Sequence, residues 1–121
     1  MTAHALTDAD ALPRPEVWDA QRLASLLADV GEVGLRDILR LFMAEMPWLQ
    51  RQLAEAIAGG RPKAALAILA LVQDSAETLG LAAMAALVRS LRSAPLAPGI
   101  PELLAQEAAR IRYVPSLKHA S

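Results

Sequence analysis

Residues 62–80 read PKAALAILALVQDSAETLG, and the reading of this stretch decides the fold. A proline opens it and a glycine closes it. Helices are punctuated in that order: proline lacks only an N–H that the first turn leaves unpaired, and glycine accepts the left-handed cap. Between them Ala65, Leu69, Val72, Ala76 and Leu79 recur at helical spacing and share one face when each residue turns about 100°. A strand would alternate instead. The pattern predicts a helix over 62–79, stopped by Gly80.

Upstream, Leu35, Ile38, Leu39, Phe42, Met46, Leu49, Leu53 and Ile57 form a second stripe, predicting a helix from about Val33 to Ile57 that Gly59 and Gly60 end. Pro47 lies inside it. An interior proline removes one backbone hydrogen bond and crowds the preceding turn, so a kink or local break is predicted there. Asp19 is a plausible N-cap for a short first helix with Leu23, Leu26, Leu27 and Val30 inward and Gly31 as its stop. Downstream, Met84, Val88 and Leu91, with Leu87 beside them, predict a helix over 81–93. Pro95, Pro98, Gly99 and Pro101 mark a loop. Pro101 opens a last helix with Leu103, Leu104, Ala108 and Ile111 inward, which runs out before Pro115.

Short connections between long helices favour antiparallel neighbours. The fold class is therefore all-α, an up-down-up-down antiparallel four-helix bundle with an additional short N-terminal helix. Residues 1–15 are predicted to be a flexible leader, 16–113 the bundle and 114–121 a flexible tail.

Composition agrees with helices. Hydrophobic residues make up 55% of the 121 and aromatics only 3%, so the core must come from Ala, Leu, Ile, Val and Met, most of them strong helix formers. The net charge of −1, with no basic block, argues against nucleic-acid binding by phosphate neutralisation. Absence of cysteine excludes disulfides and thiolate chemistry. The longest apolar run, Ala64 to Val72, is far short of the ~20 residues that span a bilayer, so a cytoplasmic protein with no membrane partner is expected.

Three stretches carry a resemblance to the histidine phosphotransfer domains that relay phosphoryl groups in two-component signalling. They are Val17-Trp18-Asp19 entering a short helix, Ile38-Leu39-Arg40-Leu41-Phe42 with Pro47 beyond it, and Ser75-Ala76-Glu77-Thr78-Leu79-Gly80. The last is similar to the family's S-A-x-x-L-G, which follows directly on its signature H-x-x-K-G. The likeness covers residues 16 to 112. In that register the family's phospho-accepting histidine falls on Ala70, its lysine on Gln73 and its glycine on Asp74. Alanine has no nitrogen on which to form a phosphoramidate. Gln73 supplies no positive charge, and Asp74 adds bulk and negative charge where a receiver's acidic pocket would approach. The two histidines, His4 and His119, lie in the tails, and neither is expected to be held rigidly enough to substitute.

The resemblance thus implies a non-catalytic pseudo-phosphotransfer protein that binds a histidine kinase or a receiver domain, with no cofactor and no metal. Its predicted partner-binding residues are Leu66, Ala67, Ala70, Leu71, Gln73 and Asp74 on the outward face of the third helix, with Met43 at the border of the second. Ala67 and Ala70 also suit an ordinary solvated face, and that reading stays open beside the docking one. The alternative function is a homo-oligomeric helical assembly module, for instance a homodimer, unrelated to phosphotransfer.

Other residues are read more plainly. Trp48 falls off its helix's stripe and is expected to be covered by the first helix or the leader, with anchoring of a partner as the competing role. Trp18 is expected to anchor packing, Met43 to border a binding surface although filling the core is its commoner job, and Ser75 to pack between helices. His4, Asp8 and Asp10 are too loosely spaced for a metal site. Arg36 with Asp37, and Arg89 with Arg92, read as solvated helix faces.

Overall fold

Four helices and no strand make up residues 17–111, the part of the chain that the computed structural model describes. They are α1 (Ala20–Ala58), α2 (Pro62–Leu79), α3 (Ala82–Arg92) and α4 (Ile100–Ala109). The predicted leader and tail, with His4, Asp8, Asp10 and His119, fall outside the described residues. Helix α2 packs against α1 and α3, and α4 packs against the same two, so the contacts close into a ring. Inside the ring lies an apolar core that includes Leu35, Met46, Leu53, Leu69, Met84 and Leu104, and no polar or charged side chain of the described residues is buried.

Helix ends follow the local chemistry. The Asp19 carboxylate caps α1 by accepting from the Arg22 N–H at 3.1 Å. At the end of α2, Gly80 is left-handed (φ 75°), which lets its own N–H donate to the Glu77 carbonyl (3.2 Å) and the Leu81 N–H to the Ala76 carbonyl (2.8 Å). This paired closure satisfies two carbonyls that a helix end would leave open. The same arrangement closes α1, with Gly60 left-handed and Arg61 donating back to Ala56.

The predicted first and second helices follow each other without a loop and meet at a kink at Gly31. Only Gly31 leaves helical geometry, at φ 77° and ψ 174°, a conformation that a Cβ strongly disfavours, and the helix resumes at once. Two expectations are corrected here. Val30 is exposed rather than inward, lying against Gly34 just past the kink instead of against the core. Pro47 produces no break, since all of α1 apart from Gly31 keeps helical backbone angles. Pro47 is exposed, so water can take up the carbonyl that its ring leaves without an N–H.

Residues 17–30 are fastened to the α2–α3 corner. The Asp19 N–H donates to the Gly80 carbonyl at 2.7 Å, and the Arg22 guanidinium donates to the Thr78 carbonyl at 2.9 Å. Arg22 thereby places a cation at the negative end of the α2 dipole. Leu104 and Ala108 of α4, and Ile111 just beyond it, are buried as predicted, but Leu103 is exposed. One residue of rotation separates Leu103 from Leu104, and in so short a helix only one of the two can face the core.

Candidate functional site

The outward surface of α2 is the candidate site, and its two flanks meet different neighbours. Core contacts hold the helix by Ala65, Leu69, Val72, Ala76 and Leu79, all buried. On the remaining surface Leu66, Gln73 and Glu77 lie toward α3. Ala67, Leu71, Asp74 and Thr78 lie toward α1.

The α3 flank is polar and internally bonded. The Gln73 side-chain amide donates to the Glu77 carboxylate (2.9 Å), and Arg89 of α3 donates to the same oxygen (3.1 Å). Arg92 donates to the Gln73 carbonyl oxygen at 2.8 Å. Hydrogen bonds from Gln73 and from Arg89 hold the Glu77 carboxyl below the usual glutamate range, with the nearby charges of Arg89 and Arg92 adding to the effect. Leu66, Gln73, Arg89, Arg92 and Ser93 line a shallow concavity of about 360 Å³. Sequence reading took Arg89 and Arg92 as solvated faces; they are exposed, but they bring two guanidinium groups beside the position where the motif lysine would stand.

The α1 flank is a groove. Ile38, Leu41, Phe42 and Glu45 of α1 face Asp74, Ser75, Thr78 and Leu79 across a concavity of about 320 Å³. A second, of about 380 Å³, lies between Ala44, Glu45, Trp48 and Leu49 on one side and Leu71 and Ser75 on the other. Glu45 and Ser75 line both, so the two form one trough. Its rim exposes apolar surface: Leu41 is 66% exposed, Leu71 58% and Trp48 54%.

Residue by residue, the structure divides the predicted binding set. Leu66 and Gln73 border the α3 concavity, Leu71 and Asp74 border the α1 groove, and Ala70 lies on the ridge between and lines neither. Ala67 is exposed. Met43 is half-buried against the core and lines none of these concavities, so its place is that of a core filler. Trp48 is corrected outright with respect to the first helix, which leaves it exposed in the groove, whereas Trp18 is half-buried against the core as predicted. Ser75 is exposed in the groove and not packed away between helices. Leu41 was missed; its exposure beside Phe42 becomes legible only when α2 is in place.

Among the described residues no cluster of three His, Asp or Glu side chains could hold a metal, and no helix is long and apolar enough to cross a membrane. No protein-family model, curated protein or solved structure matches this chain.

Proposed function

We propose that this chain is a phosphotransfer-like bundle without the relay, a cytoplasmic protein that docks a histidine kinase or a receiver domain and regulates or scaffolds it. In this reading the helices run up-down-up-down and antiparallel, and residues 20–30 are the additional N-terminal helix laid against one corner. The closed ring of helix contacts and the short connections at 59–61 and 80–81 support that topology. The turn that closes S-A-x-x-L-G supports the register, because Gly80 takes the left-handed conformation there and Arg22 lies against it.

The observation that carries the reading is the side chain at position 70. A methyl group stands at the middle of the outward surface of α2, where the resemblance calls for imidazole, and no phosphoryl group can be held on it. Arg89 and Arg92 retain positive charge close by on α3, a feature suited to an acidic partner surface.

The test is incubation with a phosphorylated receiver. This protein stays unlabelled if the reading holds, and acid-labile phosphate on it overturns the assignment. The triple substitution Ala70→His, Gln73→Lys and Asp74→Gly is expected to gain measurable labelling. A folded triple variant that remains unlabelled shows that receiver docking is absent.

A further inference from the structure

The groove between α1 and α2 is built differently from the rest of the surface, and its chemistry specifies an occupant. Its floor is Phe42, Leu49 and Leu79, and its rim exposes Leu41, Trp48 and Leu71. Large apolar side chains gathered on one exposed face mark an interaction surface, whereas scattered ones do not. From Ile38 to Leu49 the groove runs roughly 17 Å along α1 at 1.5 Å per residue, the length of three helical turns. That span suits a helix laid lengthwise, with side chains at i, i+3, i+4 and i+7 pointing down.

Charge narrows the choice further. The only charged side chains lining the groove are Glu45 and Asp74, one from each wall, and among the described residues neither is ion-paired. The ion pairs of the described surface lie elsewhere, in Arg36–Glu32, Arg40–Asp37, Arg89–Glu77 and Arg110–Glu107. A second copy related by a twofold axis would set Glu45 and Asp74 against their own kind, which opposes association. Residues 1–16 bring Asp8, Asp10 and Glu16 against Arg14 alone, whereas residues 112–121 carry Arg112 and Lys118 and are the competing occupant that peptide displacement tests.

We propose that this groove takes an amphipathic helix of a partner protein, apolar on the face turned inward and basic along both edges. The inference rests on the reading of the protein as a binding module and adds the chemistry of the element it recognises. Ala70 is not part of this groove, so the site is separate from the degenerate relay position.

Trp48 supplies the readout. In a Trp18→Phe background of the full chain, a synthetic helix of about 15 residues with leucines at i, i+3, i+4 and i+7 and lysines between them should shift Trp48 emission to the blue in a saturable way. The same peptide with glutamates in place of lysines should not. Leu71→Asp is expected to weaken the lysine peptide by about tenfold or more, as loss of an anchor does. Glu45→Lys with Asp74→Lys should reverse the preference toward the glutamate peptide.

No binding, equal binding of both peptides, or binding that ignores Leu71→Asp overturns the proposal. So does sedimentation of the protein as a dimer that Leu71→Asp dissociates, which makes a second copy the occupant. Displacement of the lysine peptide by synthetic copies of residues 1–16 or 112–121 makes the chain's own ends the occupant and likewise overturns it. Receiver labelling is scored separately, so a failed peptide test leaves the phosphotransfer-like reading to stand or fall on its own experiment.

Discussion

The two flanks of α2 are made from the same helix and end in opposite states. Toward α3, Gln73, Glu77, Arg89 and Arg92 form a bonded chain across the helix pair. Toward α1, Leu41, Trp48 and Leu71 stay open and Glu45 and Asp74 stay unpaired among the described residues. A surface that has satisfied itself gains little from a partner. A surface left apolar in the middle and charged with one sign at its edges gains by being covered. The difference gives the α1 flank the larger uncovered apolar surface, while the hydrogen bonds of the α3 flank tie α2 to α3.

Both flanks depend on the buried face that orients them, and the largest effect is expected there. Leu69 is fully buried between them. Leu69→Ala should lower unfolding free energy by about 2–5 kcal/mol in chemical denaturation, the range for a leucine removed from a packed core. A loss far smaller would mean that α2 is free to rotate and that the division into flanks is not fixed.

Next comes the corner that sets the end of α2. Gly80 is left-handed, and a Cβ there would lie 3.1 Å from Arg22 Cβ and Cγ. Gly80→Ala is expected to cost about 1–2 kcal/mol from backbone conformation alone. Arg22→Ala should leave the conformational cost and the Cβ contact in place while removing the Cγ contact, so a double-substitution cycle isolates the share of the cost that comes from Cγ.

The bonded flank should also be visible in pH dependence. The carboxyl of Glu77 is held below its ordinary range by Gln73 and Arg89, so its folded pKa is lower than its unfolded one. Its contribution is therefore present above the unfolded value and is lost as pH falls through the folded value. The stability difference between the native protein and Glu77→Gln should narrow on acidification through that window, and Arg89→Ala should raise the Glu77 midpoint in a carboxyl-carbon NMR titration. The side chain is well exposed, so solvent and salt keep the effect small, and added salt should shrink it. A Glu77 midpoint indifferent to Arg89→Ala would dissolve the contrast between the flanks.

Much of this organisation was legible in the sequence, for reasons that differ by position. The limits of α2 came from Pro62 and Gly80, because those residues act through their own backbone and need no tertiary context. Its buried face came from spacing. Val30 and Leu103 were misread because periodicity marks a face without saying where packing partners run out. At Pro47 the backbone keeps helical angles, so of the kink or local break expected there the break is absent. At the site, the outward set on α2 was legible, but its partition was not: Leu71 and Leu66 look alike in sequence, and only the placement of α1 and α3 sends one to an apolar groove and the other to an arginine-lined concavity. Trp48 carried a signal, being off the stripe of its own helix, although covering by the first helix was the expectation.

The smallest effect on stability discriminates most sharply. Leu71 is more than half exposed on the groove rim, so its truncation leaves no cavity. Leu71→Ala should change unfolding free energy by no more than about 0.5 kcal/mol, as surface substitutions do. A core leucine and a rim leucine two residues apart on the same helix would then differ severalfold in cost. Equal costs for Leu69→Ala and Leu71→Ala would mean that the rim is already covered in the native protein, and the groove would then be part of its interior and no longer a place for a partner.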